Sequence, residues 1–331
     1  MSAALALNQD GRPRSRMFEI VHRIADRFGP HVAGAFVRAV TRLEAGIDHV
    51  ELQSAIAAGS IDQIVAAVRP SRLAAIFAGK DSLSEMLQRT AGATGAAGAD
   101  VLADATGLAV QFNRIDPNVV MFARERAATL VVQVSEDVRE AIRIVVAAGA
   151  SEGLTVVQQA RAIREVVGLP PNWAAAPANL ARELREGRFT GTRRLSAIDK
   201  ARIRKRIRDG TVDEAFVAEM QERYSKSLLN RRALNIARTE TMTAGNHGLR
   251  ESWRQARQQG VLPATARRHW IVTPDDRLRD THAAVPLLNP DGVPIDGGGY
   301  DTPLGRVSGP PLEPNCRCSE GIVFPGQAGV L

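Results

Sequence analysis

The sequence predicts a mainly α-helical protein, an elongated helical body followed by a small, loop-rich α+β cap at the C-terminal side. Three observations carry this. Apolar residues recur at helical spacing through most of positions 18–258. Aromatic residues make up only 4% of the chain, so Ala, Val, Leu and Ile fill the apolar positions, as in helices packed through small side chains. The one run that reads as strand, 269–273, leads into a stretch at 283–314 with seven Gly and Pro between 286 and 299. Such a loop has few large apolar groups to anchor it, so a bound metal or a partner protein is expected to hold it in shape.

Taken in order, residues 1–16 lack pattern and read as a flexible arm. An N-terminal helical region follows at 17–115, with Ile20, Ile24, Phe28, Val32, Phe36, Val40, Leu43 and Ile47 on one stripe. Gly29-Pro30 and Ala58-Gly59-Ser60 read as breaks between helices. The run Ala91-Gly92-Ala93-Thr94-Gly95-Ala96-Ala97-Gly98-Ala99 reads as a linker giving way to helix, although a tightly packed small-residue helix has the same composition. The helical body, 116–258, opens at Asp116-Pro117-Asn118 with a long amphipathic pattern to about Ala148. Thr155 is placed to cap a helix closed by Gly168-Leu169-Pro170-Pro171. Residues 173–192 look irregular. A basic amphipathic helix at 193–208 and a last helix over 213–258, broken near Asn230 or Gly245, complete the body. The cap is 259–331.

Charge narrows the partners. The chain of 331 residues carries a net charge of +7, and 39 of its 43 basic residues are arginine. A GC-rich genome accounts for that ratio but not for clustering. Residues 182–257 hold 19 basic and 10 acidic residues, a net of +9, and 193–208 holds eight basic residues against Asp199 alone. Guanidinium forks bind phosphates and carboxylates, which favours nucleic acid or an acidic protein as partner. Arg193, Arg194, Lys200, Arg202, Arg204, Lys205, Arg206 and Arg208 are the candidates for sequence-independent contact with duplex phosphates. Aromatics are not interleaved with them, so stacking on single strands is not indicated. No stretch approaches the roughly 18 apolar residues of a membrane span, and no signal peptide is evident at the first residues.

The chemistry-bearing residues lie in the last third. Cys316 and Cys318 are the only cysteines, and a disulfide closing so small a ring would be strained, so they read as thiols or metal ligands in a reducing compartment. With His282 they make a thiolate-and-imidazole set of the kind that binds zinc; His247, His269, Asp276 and Asp280 are candidates for a fourth ligand. The alternative is that the cysteines pack as small apolar residues. Glu240, Asp276, Arg277 and Arg279 read as structural ion pairs, with Glu240 reaching Arg277 or Arg279 to tie the cap to the body. No phosphate-cradling glycine loop is present, because Gly297-Gly298-Gly299 lacks the following lysine and helix.

The ordered set Arg238-Thr239-Glu240, Trp270, Asp276-Arg277-x-Arg279-x-x-His282 and Asn315-Cys316-Arg317-Cys318 resembles the phage Mu F-like, head morphogenesis family over about residues 230–320. The stretch 119–167 resembles the family's preceding helices more loosely, and 1–115 carries no resemblance. The resemblance implies a minor capsid protein of a tailed double-stranded DNA phage or prophage, made in the host cytoplasm and residing in the virion, in the capsid interior or at the portal vertex. It implies the portal protein and double-stranded DNA as partners, with major capsid or scaffold proteins as further ones, and no catalysis. The family's His and Cys positions look like a metal site and fall on His282, Cys316 and Cys318. The competing reading is a metal-dependent hydrolase or nuclease that uses the cap, with Glu240 and His282 as acid and base. An open coordination position beside a concave pocket would favour it; a closed four-ligand site would favour structure.

Overall fold

Ser15 opens the helical part of the chain. Its Oγ accepts from the Phe18 N–H at 3.1 Å and so caps α1 (Arg16–Ala45). The computed structural model describes residues 15–191, 194–273, 275–326 and 329–331, so the arm expected at 1–16 lies outside them except for its last two residues. α2 (His49–Ala57) and α3 (Ile61–Val68) start under Asp48 and Ser60, whose side chains accept from backbone N–H groups of the first turn. A 3₁₀ turn at Pro70–Arg72 leads into α4 (Leu73–Ala78), followed by α5 (Leu83–Thr106) and α6 (Pro117–Ser151). α7 (Val156–Val166) begins with a capping box between Thr155 and Gln158. Then come α8 (Pro171–Arg185), α9 (Ala197–Arg208) and α10 (Glu214–Gln258), the last of 45 residues.

The C-terminal segment departs from this pattern. β1 (Arg267–Ile271), α11 (Asp280–Leu288), β2 (Val293–Pro294) and β3 (Ser319–Val323) follow, and the strands form an antiparallel sheet of order β2-β1-β3. Trp270 faces Glu320 and Ile271 faces Ser319 across β1 and β3, so the residue after Cys318 is the first of an edge strand. The fold is therefore mainly α with a small antiparallel sheet in its cap.

By internal contacts the chain divides into two units. One is built from the chain up to Ala33, Leu83–Arg126 and Leu234–Leu331; the other from Gly34–Ser82 and Ala127–Ala233. The first has a core of Met17, Val21, Leu102, Leu249, Trp253 and Ile322, with a smaller cluster of Trp270, Val285, Tyr300, Cys316 and Cys318. The second packs α2 on α3 and α7, and α7 on α8.

Several expectations give way. The run 91–99 is no linker but the middle of α5, because its glycines let another backbone approach. A Cβ on Gly248 of α10 would lie 2.2 Å from the Ala91 carbonyl oxygen, and one on Gly98 would meet Leu249 at 2.8 Å. Gly29-Pro30 does not break α1, since Pro30 sits on an exposed face where one missing N–H is tolerated while the buried stripe continues. α10 runs unbroken through Asn230 and Gly245. Gly245 is there for close contact with Val21, and Thr239, Thr241 and Thr243 satisfy their hydroxyls on carbonyls four residues back. Of the stretch 173–192 read as irregular, residues 173–185 belong to α8. Pro171 occupies its first turn, where no donor is needed, and Ala174, Leu180, Ala181 and Leu184 are buried.

Candidate metal centre and the cleft beside it

α11 carries His282 on its first turn, and the turn before β3 carries Cys316 and Cys318. All three are buried. The turn is set by Asn315 at φ 61°, a left-handed conformation that Asn tolerates, with its N–H donating to Thr239 Oγ1 at 2.9 Å. Thr273 Oγ1 donates to the Arg317 carbonyl at 2.7 Å from the other side. Asn246 of α10 reaches the Cys318 carbonyl at 3.4 Å and accepts from Ser319 Oγ at 2.8 Å. The pieces Arg238-Thr239, Asn246, His282 and Asn315–Ser319, scattered over some eighty positions, thus close on one point.

The ligand atoms of His282, Cys316 and Cys318 lie within 4.8 Å of one another and form a possible metal site. His282 Nδ1 is 3.4 Å from Cys316 Sγ and 3.8 Å from Cys318 Sγ. Two ligands at a tetrahedral angle, with Zn–S of about 2.3 Å and Zn–N of about 2.0–2.1 Å, stand roughly 3.6 Å apart. The donors therefore fit zinc in spacing, and two sulfurs disfavour Mg²⁺ and Ca²⁺. His282 Nε2 is 3.0 Å from Glu313 Oε2, which places its proton toward the carboxylate and leaves Nδ1 as donor, the arrangement of a carboxylate-oriented metal histidine. Donation from Cys318 and backbone N–H groups lower the Cys316 thiol to about 6, while the same hydrogen bond and burial raise Cys318. The Trp270 indole N–H, buried in the same apolar cluster, points its donor toward Cys318 and opposes part of that rise.

Of the four candidates for a fourth ligand, none joins the cluster among the described residues. His247 stacks on Phe122 with centroids 3.9 Å apart, and burial holds its ring far down, at about 3, so that it is neutral. The same three ligands instead line an open cleft of about 150 Å³ together with Arg238, Arg277, Arg279 and Arg317.

Glu240 is buried as expected but pairs elsewhere. Both its oxygens accept from Arg126 of α6, at 2.6 and 2.8 Å, and not from Arg277 or Arg279. The cause is geometric: Arg126, at the end of the α6 portion that belongs to the first unit, reaches the α10 portion that carries Glu240, while Arg277 is exposed. With both oxygens so engaged, Glu240 is not placed as a general base. Arg279 lies 3.6 Å from Glu313, and Asp276 is exposed with no ion pair among the described residues.

The Gly/Pro loop has an anchor that sequence reasoning missed. Arg268 of β1, 2% exposed, donates to the carbonyls of Pro294, Gly298 and Ser308 at 2.7–3.0 Å and to Glu320 Oε1 at 2.6 Å. Arg250 holds the other Glu320 oxygen at 2.8 Å. Three carbonyls of one loop on one fork order it from within the protein, in addition to any metal or partner. The only sequence signal was an arginine at an inward position of an alternating strand.

On α9, Arg202 is paired bidentately with Glu219 at 2.9 Å, Arg206 donates to the Thr211 carbonyl at 2.8 Å, and Arg208 pairs with Asp209 at 3.3 Å. Arg194, Lys200, Arg204 and Lys205 have no carboxylate partner among the described residues, and Arg193 lies outside them. No described helix is long and apolar enough to cross a membrane.

Compared with known proteins, residues 197–320 match the family described as Phage Mu protein F like protein, over the stretch that holds α9, α10 and the metal cluster. No curated protein and no solved structure matches the chain.

Proposed function

We propose, from the Mu F-like match over residues 197–320, that this chain is a head morphogenesis protein of a tailed double-stranded DNA phage or prophage, a non-enzymatic virion component that associates with the portal and with packaged DNA. That match is the observation that carries the reading. The convergence of its motif residues on one buried cluster supports it, because those residues then serve a common local structure. Cations on and before α9 that have no carboxylate partner among the described residues supply a surface for phosphates. The test is co-expression with the portal protein of the same genome. A complex that survives size exclusion is expected, and two proteins eluting apart would count against the reading. The DNA arm is a filter-binding series in salt. Changing Arg194, Lys200, Arg204 and Lys205 to Gln should lower the slope of log K against log salt by about 3–4. An unchanged slope would make this face a protein-docking surface.

A second reading, a metal-dependent hydrolase or nuclease, is favoured by one observation: the three-ligand cluster also lines an open cleft. Three protein donors and a vacant position characterise catalytic zinc, which polarises a bound ester and acidifies water. In both readings His282, Cys316 and Cys318 hold the ion, Glu313 orients His282, and protein purified without chelator should carry about one zinc per chain, lost in Cys316→Ser. Turnover of duplex DNA or a nitrophenyl phosphodiester by the zinc-loaded chain, absent in Cys316→Ser, would establish the enzyme. Full zinc without turnover leaves the ion structural.

A further inference from the structure

The cleft beside the metal cluster has a composition that the cluster does not need. Its lining includes four arginines, Arg238 from α10, Arg277 and Arg279 from the turn before α11, and Arg317 from the cysteine turn, against the single carboxylate Asp275. Asp275 pairs with Arg317, and Glu313, just outside, lies 3.6 Å from Arg279. Arg238 and Arg277 are exposed at the rim with no carboxylate partner among the described residues. Two thiolates neutralise one divalent ion, so a bound metal would leave the positive excess of the arginines in place. Like charges gathered from three segments repel; Arg279, which donates to the Pro314 carbonyl at 3.2 Å, and Arg317, paired with Asp275, have local partners, which leaves Arg238 and Arg277 without a structural reason to be there.

We infer that this cleft binds a phosphate group, with Arg238 and Arg277 as its principal donors and Arg279 and Arg317 completing the rim. Two free forks, backed by two more guanidiniums that add charge although each already has a carboxylate beside it, favour phosphate over carboxylate. A carboxylate is saturated by one or two bidentate guanidiniums, whereas the several oxygens of a phosphate accept from three or more. The volume, about 150 Å³, is that of roughly five waters. It accommodates one phosphoryl group with the first atoms of its ester, and leaves a base outside. The site uses none of the cations of α9, and it stands whether or not the head-morphogenesis reading does. The phosphate has two sources, the diester of a nucleic-acid backbone or a free phosphate.

The test uses the full chain with its metal content measured. Inorganic phosphate is titrated calorimetrically at constant ionic strength, with acetate as the control anion. A dinucleoside monophosphate, which has one diester and no terminal phosphate, forms a second arm. Saturable binding of either phosphate compound is expected, weakened at least ten-fold in Arg238→Gln and in Arg277→Gln. Both residues are exposed, so these variants should keep the melting temperature and metal content of wild type. Arg204→Gln on α9 should bind as wild type does. Preference for the dinucleotide identifies the backbone as source, and preference for inorganic phosphate identifies the free anion. Non-saturable heats, equal binding of acetate, or undiminished affinity in both cleft variants would overturn the inference, as would an acidic peptide that binds where phosphate does not.

Discussion

Glu165 shows what burial does to one carboxylate. Its side chain on α7 is 8% exposed, Oε2 has no hydrogen-bond partner, and desolvation pushes the carboxyl up to about 7 against the pull of Arg161. The folded chain then holds a proton that the unfolded chain has lost above about 4.5, so this group's contribution is complete below that pH and disappears as pH rises to 7. The loss is about 3 kcal/mol. Glu165→Gln, which cannot ionise, should melt progressively above wild type between pH 5 and pH 8. A constant offset across that range would mean that the carboxylate is ionised and fully paired. At this scale the grouping of His282, Cys316 and Cys318 into a possible metal site was legible in the sequence, because cysteine and histidine are rare and chemically specific. Arg126 and Arg268 were not. An arginine reads as surface unless its partner is known, and their carboxylates stand 114 and 52 positions away.

Helices were legible by their apolar stripe, and misread where glycine or proline stood for something other than an end. Gly248 is the clearest case. It is there so that α10 can touch the α5 backbone, and the same necessity explains the small residues of 91–99. Gly248→Ala places its methyl 2.2 Å from a carbonyl oxygen that cannot rotate away, so the helices must part. The expected cost is about 1–3 kcal/mol, read as a lower urea midpoint at unchanged slope. An unaltered midpoint would show that the two helices stand further apart. Pro171 carries the opposite lesson: a proline at the first turn starts a helix as readily as one elsewhere ends it.

For the whole molecule, the boundary near 259 marks a change of secondary structure, but the contacts of the cap reach beyond it. Thr239, Asn246 and Arg250 of α10 bond to Asn315, Cys318 and Glu320, and Leu331 shares a core with Met17 and Trp253. A fragment of residues 259–331 alone should therefore lack a cooperative thermal transition and be degraded quickly by protease. A sharp transition in that fragment would show that the sheet and loop suffice. The domain scheme drawn from composition had no access to these contacts, since they join segments whose patterns are unrelated. Arg268 extends the point to synthesis. Its carboxylate partner lies 52 residues downstream, and a ribosome adding about 5–20 residues per second delivers it roughly 3–10 s later. Until then the guanidinium has no counter-charge with which to enter the interior, and it stays in water. The helices of the nascent chain are thus free to form first, and the cap, with its cleft and cysteine turn, closes only after residue 320 has been made.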